Sequence, residues 1–375
     1  MAQLQHLISG WLLRAFSRGG STLAAFDKLD GSYLDVGVND FLAELDAHGS
    51  EIEQAINELE TPAAAAALRL RKRVSRLPAG LYAMALTDEL SEPELTDHGV
   101  MAGMRLLVGT RTLAQPPDAD REALSRYAAL MYQRAPRTEA AMRSYDEAFD
   151  RGARQALDEL LPEAKSPGAA VAVSLRERMV ERAYRLGATL TQAPWWVVRA
   201  PDREAFVLSD SMVVATLSFG HDDDWRAILS PEAYAVVMAL GPRVALIMAP
   251  RGIFPFSGGL ELGGLPRAIN RLMWRAADRY ILATRRSELE TAMSGVDELT
   301  RRFSVAVPQD DAAIEAAGRN AASKAVAQAY VQRIVVRPLT THWVRWEGCR
   351  LRIGWLDFDA ADRPLFGLPA CKARS

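Results

Sequence analysis

Residues 194–217 read PWWVVRAPDREAFVLSDSMVVATL, and this stretch decides the fold class. Trp195 to Val198, Glu204 to Leu208 and Met212 to Leu217 are short runs, rich in aromatic and β-branched residues and separated by turn-forming residues, a pattern that predicts strands. Val244 to Met248 continues the series, while Ala233 to Ala239 fits either a strand or the start of a short helix. The glycine-rich stretch from Gly252 to Gly264 leads into a helix expected from Pro266 to Asp278, with proline at the first helical position. Tyr280 to Ala283 then returns to the sheet. Two further helices, about Glu288 to Phe303 and Asp311 to Gln332, precede an alternating hairpin, His342 to Trp346 and Arg350 to Leu356, that turns at Glu347-Gly348.

Upstream the pattern changes. Asn39 to Gln192 reads as successive helices broken at Thr61-Pro62, Pro78-Ala79-Gly80, Pro93, Pro116-Pro117, Pro136 and 162–168. Thr61 is expected as an N-cap and Pro62 as the first residue of a helix that a run of alanines favours strongly. Leu4, Leu7, Ile8, Trp11, Leu12 and Ala15 follow helical spacing, which predicts one amphipathic helix with His6 off its apolar stripe. Thr22 to Phe26 and Ser32 to Val36 flank Lys28-Leu29-Asp30-Gly31 and predict a small hairpin. The expectation is an α+β protein: a largely helical lobe over 1–192, then a mixed or antiparallel sheet lobe with flanking helices over 193–375.

With 45 Lys and Arg against 47 Asp and Glu, the net charge of −2 removes any global electrostatic drive toward nucleic acid or an anionic membrane. No apolar run approaches the roughly 18 residues of a membrane span, so no membrane association is expected. Cys349 and Cys371, the only two cysteines, give no disulfide framework and no zinc module, and fit a reducing, cytoplasmic setting. The chain contains no Walker loop, dinucleotide G-x-G-x-x-G, nucleophile elbow, S-x-x-K, H-E-x-x-H or paired C-x-x-C, which removes the common nucleotide, acyl-transfer and zinc chemistries.

Four segments occur together in order: Gln5-His6-Leu7-Ile8 with Leu13-Arg14-Ala15-Phe16, then Phe26-Asp27-Lys28, then Ser209-Asp210-Ser211, then Asn270 with Ala276, Asp278, Arg279 and Tyr280. They resemble an uncharacterised bacterial domain family marked by an N-terminal "HYVP…LRxF" segment and a central "SDNP" segment. The likeness runs from about Gln5 to Ala283. It departs at Leu7-Ile8-Ser9, where the family has Tyr-Val-Pro, and at Ser211-Met212, where it has Asn-Pro. The matching positions are His6, Arg14, Phe16, Asp210 and Asn270, and the resemblance implies architecture more than chemistry.

The candidate catalytic set is His6, Arg14, Asp210 and Asn270. An imidazole can serve as general base at neutral pH, and an arginine can clamp a phosphate or carboxylate. A carboxylate at a strand end can be held rigidly toward a cleft, and an asparagine inside a helix points to a specific bond. Converging, these residues would suit metal-assisted hydrolysis at phosphorus, as in a phosphodiesterase or nuclease acting in bacterial defence or as a toxin. Glu53, Asn57 and Glu60 share a helix face, so Glu53 and Glu60, with Asp210, are the candidate ligands for a divalent ion such as Mg²⁺. His221-Asp222-Asp223-Asp224 offers hard ligands as well, although a solvated loop reads the same way. Arg69, Lys72, Arg73 and Arg76 form the one basic face able to meet a nucleic acid, diluted by Glu58 and Glu60. The competing class is a non-catalytic protein-binding or regulatory protein, in which the same polar residues join parts of the fold and the helical region meets another protein.

Overall fold

Of the apolar runs after Pro194, Trp195 to Val198, Met212 to Leu217, Ala233 to Ala239 and Val244 to Met248 give strands, the last two at the buried centre of a sheet. In Glu204 to Leu208 only Leu208 enters one, because Phe206 and Val207 give their N–H groups to Pro242 and Asn270 instead of a neighbouring strand. The computed structural model describes residues 4–6, 8–39, 41, 43–45, 50–85, 110–160, 179–217, 231–250, 264–294, 296, 301, 311–336, 343–347 and 350–354. The described residues confirm the α+β class.

Two units divide the chain: residues 1–144 with 174–309, and residues 145–173 with 310–375. Among its described residues, the first holds two larger sheets and one two-stranded pair, Leu4–His6 with Ala43–Leu45. A four-stranded antiparallel sheet has the order β3 (Ser32–Gly37), β2 (Thr22–Asp27), β12 (Tyr280–Ala283), β8 (Leu208–Ser209). A six-stranded sheet has the order β6 (Arg111–Ala114), β5 (Gly80–Ala85), β7 (Trp195–Arg199), β11 (Val244–Met248), β10 (Ala235–Gly241), β9 (Val213–Thr216). It is antiparallel except where β5 lies parallel to β6. It draws strands from both sides of residue 192. Every residue of β10 and β11 is buried, which is why both read as unbroken apolar runs without polar alternation.

Helices cover these sheets. α1 (Gly10–Phe16) and α2 (Ser50–Val74) pack on β10, and α3 (Asp118–Arg134) packs on β9. α2 also lies along α3, and α3 makes the most extensive helix pair with α5 (Met179–Gln192). α6 (Leu265–Ala276) lies against β8 and β9, and α7 (Arg286–Met293) against β2 and β12. Leu12, Phe16, Leu70, Leu124, Leu186, Trp195, Val237 and Trp274 belong to one continuous core.

Three local expectations are corrected. Leu4–His6 is a short strand, β1, paired with β4 (Ala43–Leu45), and the helix begins only at Gly10. Ser9 stands at its start, but its hydroxyl receives the Tyr127 hydroxyl instead of capping the helix. α2 runs straight through Thr61-Pro62, with Pro62 in its interior. Proline there forfeits one backbone bond, at a cost of about 3 kcal/mol, and burial of Ala63, Ala66, Ala67, Leu70 and Val74 against the core offsets it. The segment after Pro78-Ala79 is a strand within the stretch read as all helix, because Leu81, Tyr82 and Met84 are buried between β6 and β7. The predicted β2–β3 hairpin, β11, α6, β12 and the C-terminal hairpin of β13 (Trp343–Glu347) with β14 (Arg350–Gly354) are all present.

In the second unit, the part of α4 (Pro136–Leu160) from Tyr145 onward meets α8 (Asp311–Val336) at two glycines. A Cβ on Gly152 would overlap the Glu315 backbone carbonyl, and one on Gly318 would overlap that of Phe149. Ala153, Ala156 and Ala322 fill the contact, and Arg151 bridges to Asp311 and Glu315 at its edge. Backbones this close leave no side chain able to yield, so Gly152→Ala or Gly318→Ala should lower stability by about 1–3 kcal/mol. Denaturant unfolding with the transition of this helix pair resolved, for example by hydrogen exchange, checks it; unchanged protection in both variants would contradict the packing.

Candidate functional site

One group of buried polar residues, Asp27, Lys28, Ser209, Asp210, Ser211 and Asn270, surrounds the passage from β8 to β9, where the chain leaves the four-stranded sheet for the six-stranded one. The turn Asp210-Ser211-Met212 makes that passage. Met212 has φ 51, a left-handed conformation uncommon for a residue with a Cβ, and its side chain is buried. Its N–H bonds to the Ser209 carbonyl at 2.9 Å, and the Ser211 hydroxyl donates to the Ala276 carbonyl at 2.6 Å.

Asp210 is buried, and its carboxylate accepts three consecutive backbone N–H groups: Asp278 at 2.9 Å, Arg279 at 2.6 Å and Tyr280 at 2.8 Å. These residues connect α6 to β12, so the carboxylate fastens the turn to that connection. Burial pushes the Asp210 carboxyl up to about 6, outweighing the three N–H bonds that favour the charged form.

Lys28 sits in the turn after β2 and is only 1% exposed. Its ammonium donates to the Trp274 carbonyl at 3.2 Å and the Ala277 carbonyl at 3.0 Å, at the C-terminal end of α6 where the helix dipole favours a cation. Burial pulls it down to about 8; Asp210 and Asp278 oppose that shift and Arg137 adds to it. Beside it, Arg279 donates from Nε and Nη2 to one Asp27 carboxylate oxygen at 2.9 and 2.8 Å, while the other oxygen accepts the Leu29 N–H. Burial alone would raise Asp27, but Arg279 and the N–H groups of Leu29 and Asp30 hold it below the usual carboxylate value.

Asn270 fixes the middle of α6. Its amide nitrogen donates to the Ala205 carbonyl at 2.8 Å, and its amide oxygen accepts the Val207 N–H at 3.0 Å. The segment entering β8 is thereby tied to the helix. Four turns of chain, from Asp27 through the Asp210 turn to α6 and β12, are thus joined by side chain to backbone bonds.

Of the expected catalytic set, Asp210 and Asn270 are brought to the same helix and its exit, each committed to backbone partners. Arg14 is exposed on α1 and its guanidinium lies along Gly10, one turn earlier. His6 lies in β1 opposite Ala43, and its side chain falls outside the described residues. Among the described residues, no group of three or more His, Cys, Asp or Glu side chains could hold a metal ion. Asp210 offers its oxygens to N–H donors, Glu60 is half-buried on α2, and the Glu53 side chain falls outside the described residues, as do 218–230 and 251–263. Of the basic face, Arg69 is bound to Asp120 on α3 through both Nε and Nη2. No described helix is long and apolar enough to cross a membrane.

Sequence reasoning passed over Lys28, Asp27 and Arg279 as site residues. The signal was present: Phe26-Asp27-Lys28 and Asp278-Arg279-Tyr280 lie in the same four-segment pattern as Asp210 and Asn270. The family described as protein of unknown function (DUF4238) matches residues 4–287, and the chain belongs to it. No curated protein and no solved structure matches it.

The pH dependence of this cluster has a definite sign. Between about 8 and 10.5 the folded state holds fewer protons on Lys28 than the unfolded chain does, so stability rises with pH through that window. Between about 6 and 3.8 the folded state holds more protons on Asp210, so stability rises as pH falls. The pair contributes least near neutrality. Denaturant midpoints measured across both windows should show this rise on each side, and Lys28→Met should abolish the alkaline one; an unchanged alkaline slope in the variant would contradict the assignment. Asp210→Ala, which strands three buried donors, should lower stability by about 3 kcal/mol or more in the same assay.

Proposed function

We propose that this chain is a non-catalytic protein-binding or regulatory protein whose polar residues hold its two-sheet unit together. One observation carries the reading: the oxygens of Asp210 and the amide of Asn270 are taken up by backbone partners at 2.6–3.0 Å. A general base or metal ligand needs a lone pair aimed at open space. Buried polar groups that take backbone partners are what architecture requires.

The small number of cysteines supports a cytoplasmic setting for that role. The helical surface offers area for a protein partner, whereas an approximately neutral chain with Arg69 already paired offers little to a nucleic acid. A phosphodiesterase would have to draw its catalytic groups from His6 and Arg14 without Asp210 and Asn270.

The test is turnover. Purified wild-type and His6→Ala proteins are incubated with RNA, DNA and nucleotide pools, with and without Mg²⁺ or Mn²⁺. Background-level hydrolysis by both is expected. Metal-dependent cleavage by the wild type that His6→Ala abolishes would overturn the proposal in favour of a hydrolase.

A further inference from the structure

The outward face of α2 carries an order that its packing does not require. Gln54, Glu58, Thr61, Ala65, Leu68 and Lys72 recur every three or four residues, and all are exposed except Ala65, which is half-buried. Spacing of this kind lines one seam along a helix. Ala64 and Ala65 make its middle flat, and Leu68, 47% exposed, leaves apolar surface in water beside them. Charge along the seam is segregated: Glu58 lies before the middle and Lys72 after it.

The helix dipole accounts for a basic last turn, but its effect dies within a turn of the end. It does not account for Glu58 in the third turn or for the uncovered leucine. Arg69 is occupied by Asp120 within the chain, so the cation that the seam presents is Lys72. Glu58 is exposed and accepts a bond from Gln54 at one of its oxygens.

We infer that this face binds a second copy of the chain, α2 against α2, antiparallel about a two-fold axis at Ala65. In that arrangement Glu58 of each copy faces Lys72 of the other. The alanines let the backbones approach, and Leu68 packs beside Pro62 of the second copy. A parallel arrangement would set Lys72 against Lys72. Self-complementarity under a two-fold axis is what an isologous interface requires, and the charge order selects the antiparallel direction. The inference deepens the protein-binding reading by naming a partner, and rests on it in that respect.

Sedimentation equilibrium of the full chain up to about 100 µM, a range that captures micromolar association, tests it. The wild type should approach twice its 41.2 kDa mass with rising concentration. Lys72→Glu, which sets Glu against Glu twice per dimer, should weaken association at least about tenfold. Adding Glu58→Lys to it should restore the dimer. Positions 58 and 72 are too far apart along one helix to touch, about 21 Å, so rescue requires contact between copies. Leu68→Asp should also dissociate it, and circular dichroism confirms that each variant is folded. A monomeric wild type, or a dimer indifferent to Lys72→Glu, or a failed rescue in a folded double variant, would each overturn the interface. Because the readout is mass, such a failure leaves the turnover test of the proposed function undisturbed.

Discussion

One carboxylate, that of Asp210, holds three successive backbone N–H groups, and the relation between the two sheets depends on it. The chain changes sheets within a single turn, so residues 210–212 must reverse direction while staying buried. The left-handed Met212 marks the strain of that reversal. Such a conformation persists only where its surroundings over-determine it, and here they do. Asp210 grips residues 278–280 from one side, Ser211 holds the end of α6 from the other, and Asp210 also donates its own N–H to the Tyr280 carbonyl.

The charges around that turn are arranged to keep one another buried. Lys28 places its ammonium on the carbonyls that end α6, the negative pole of the helix, and the Asp210 charge lies within its field. Neither group is comfortable in its charged form, as the opposite directions of their shifts record: burial raises the acid and lowers the base. Desolvation of this size cancels much of the attraction between the charges, so the cluster adds little net stability, whereas loss of any one partner exposes the full penalty. Asp27 and Arg279 differ, since Arg279 is 43% exposed and Asp27 only 2%. There the carboxylate is held from the solvent side, and its charged form is favoured.

Sequence pattern makes most of the strands after Pro194 legible and little of the junction. β11 and β12 could be placed from their apolar runs because strands buried on both faces, or packed between neighbours, carry no competing polar signal. β5 was read as helix because Gly80 to Ala85 sits among helices, and only its pairing with β7, more than 110 residues later in the chain, makes it a strand. Pro62 was read as a helix start for a similar reason: local chemistry favours a start, while burial of the next three turns favours continuation. Asp210 and Asn270 stand out in the sequence as candidate catalytic residues. Their partners are backbone atoms, and backbone atoms leave no mark in a sequence, so a structural bond and a catalytic role looked alike.

That ambiguity bears on how a family without an assigned activity should be read. Polar residues that recur in order along a chain invite a catalytic interpretation, since exposed polar positions are otherwise free to vary. The invitation weakens once each residue is buried, because a buried acid that accepts three N–H groups cannot be exchanged for any residue lacking two acceptor oxygens. Asn270 is constrained in the same way, needing one donor and one acceptor in fixed positions. Geometry alone would therefore hold these side chains in place, with no reaction to select for them. The surface where function resides is then better sought among features that architecture leaves unexplained, and on α2 an uncovered leucine between opposite charges is such a feature.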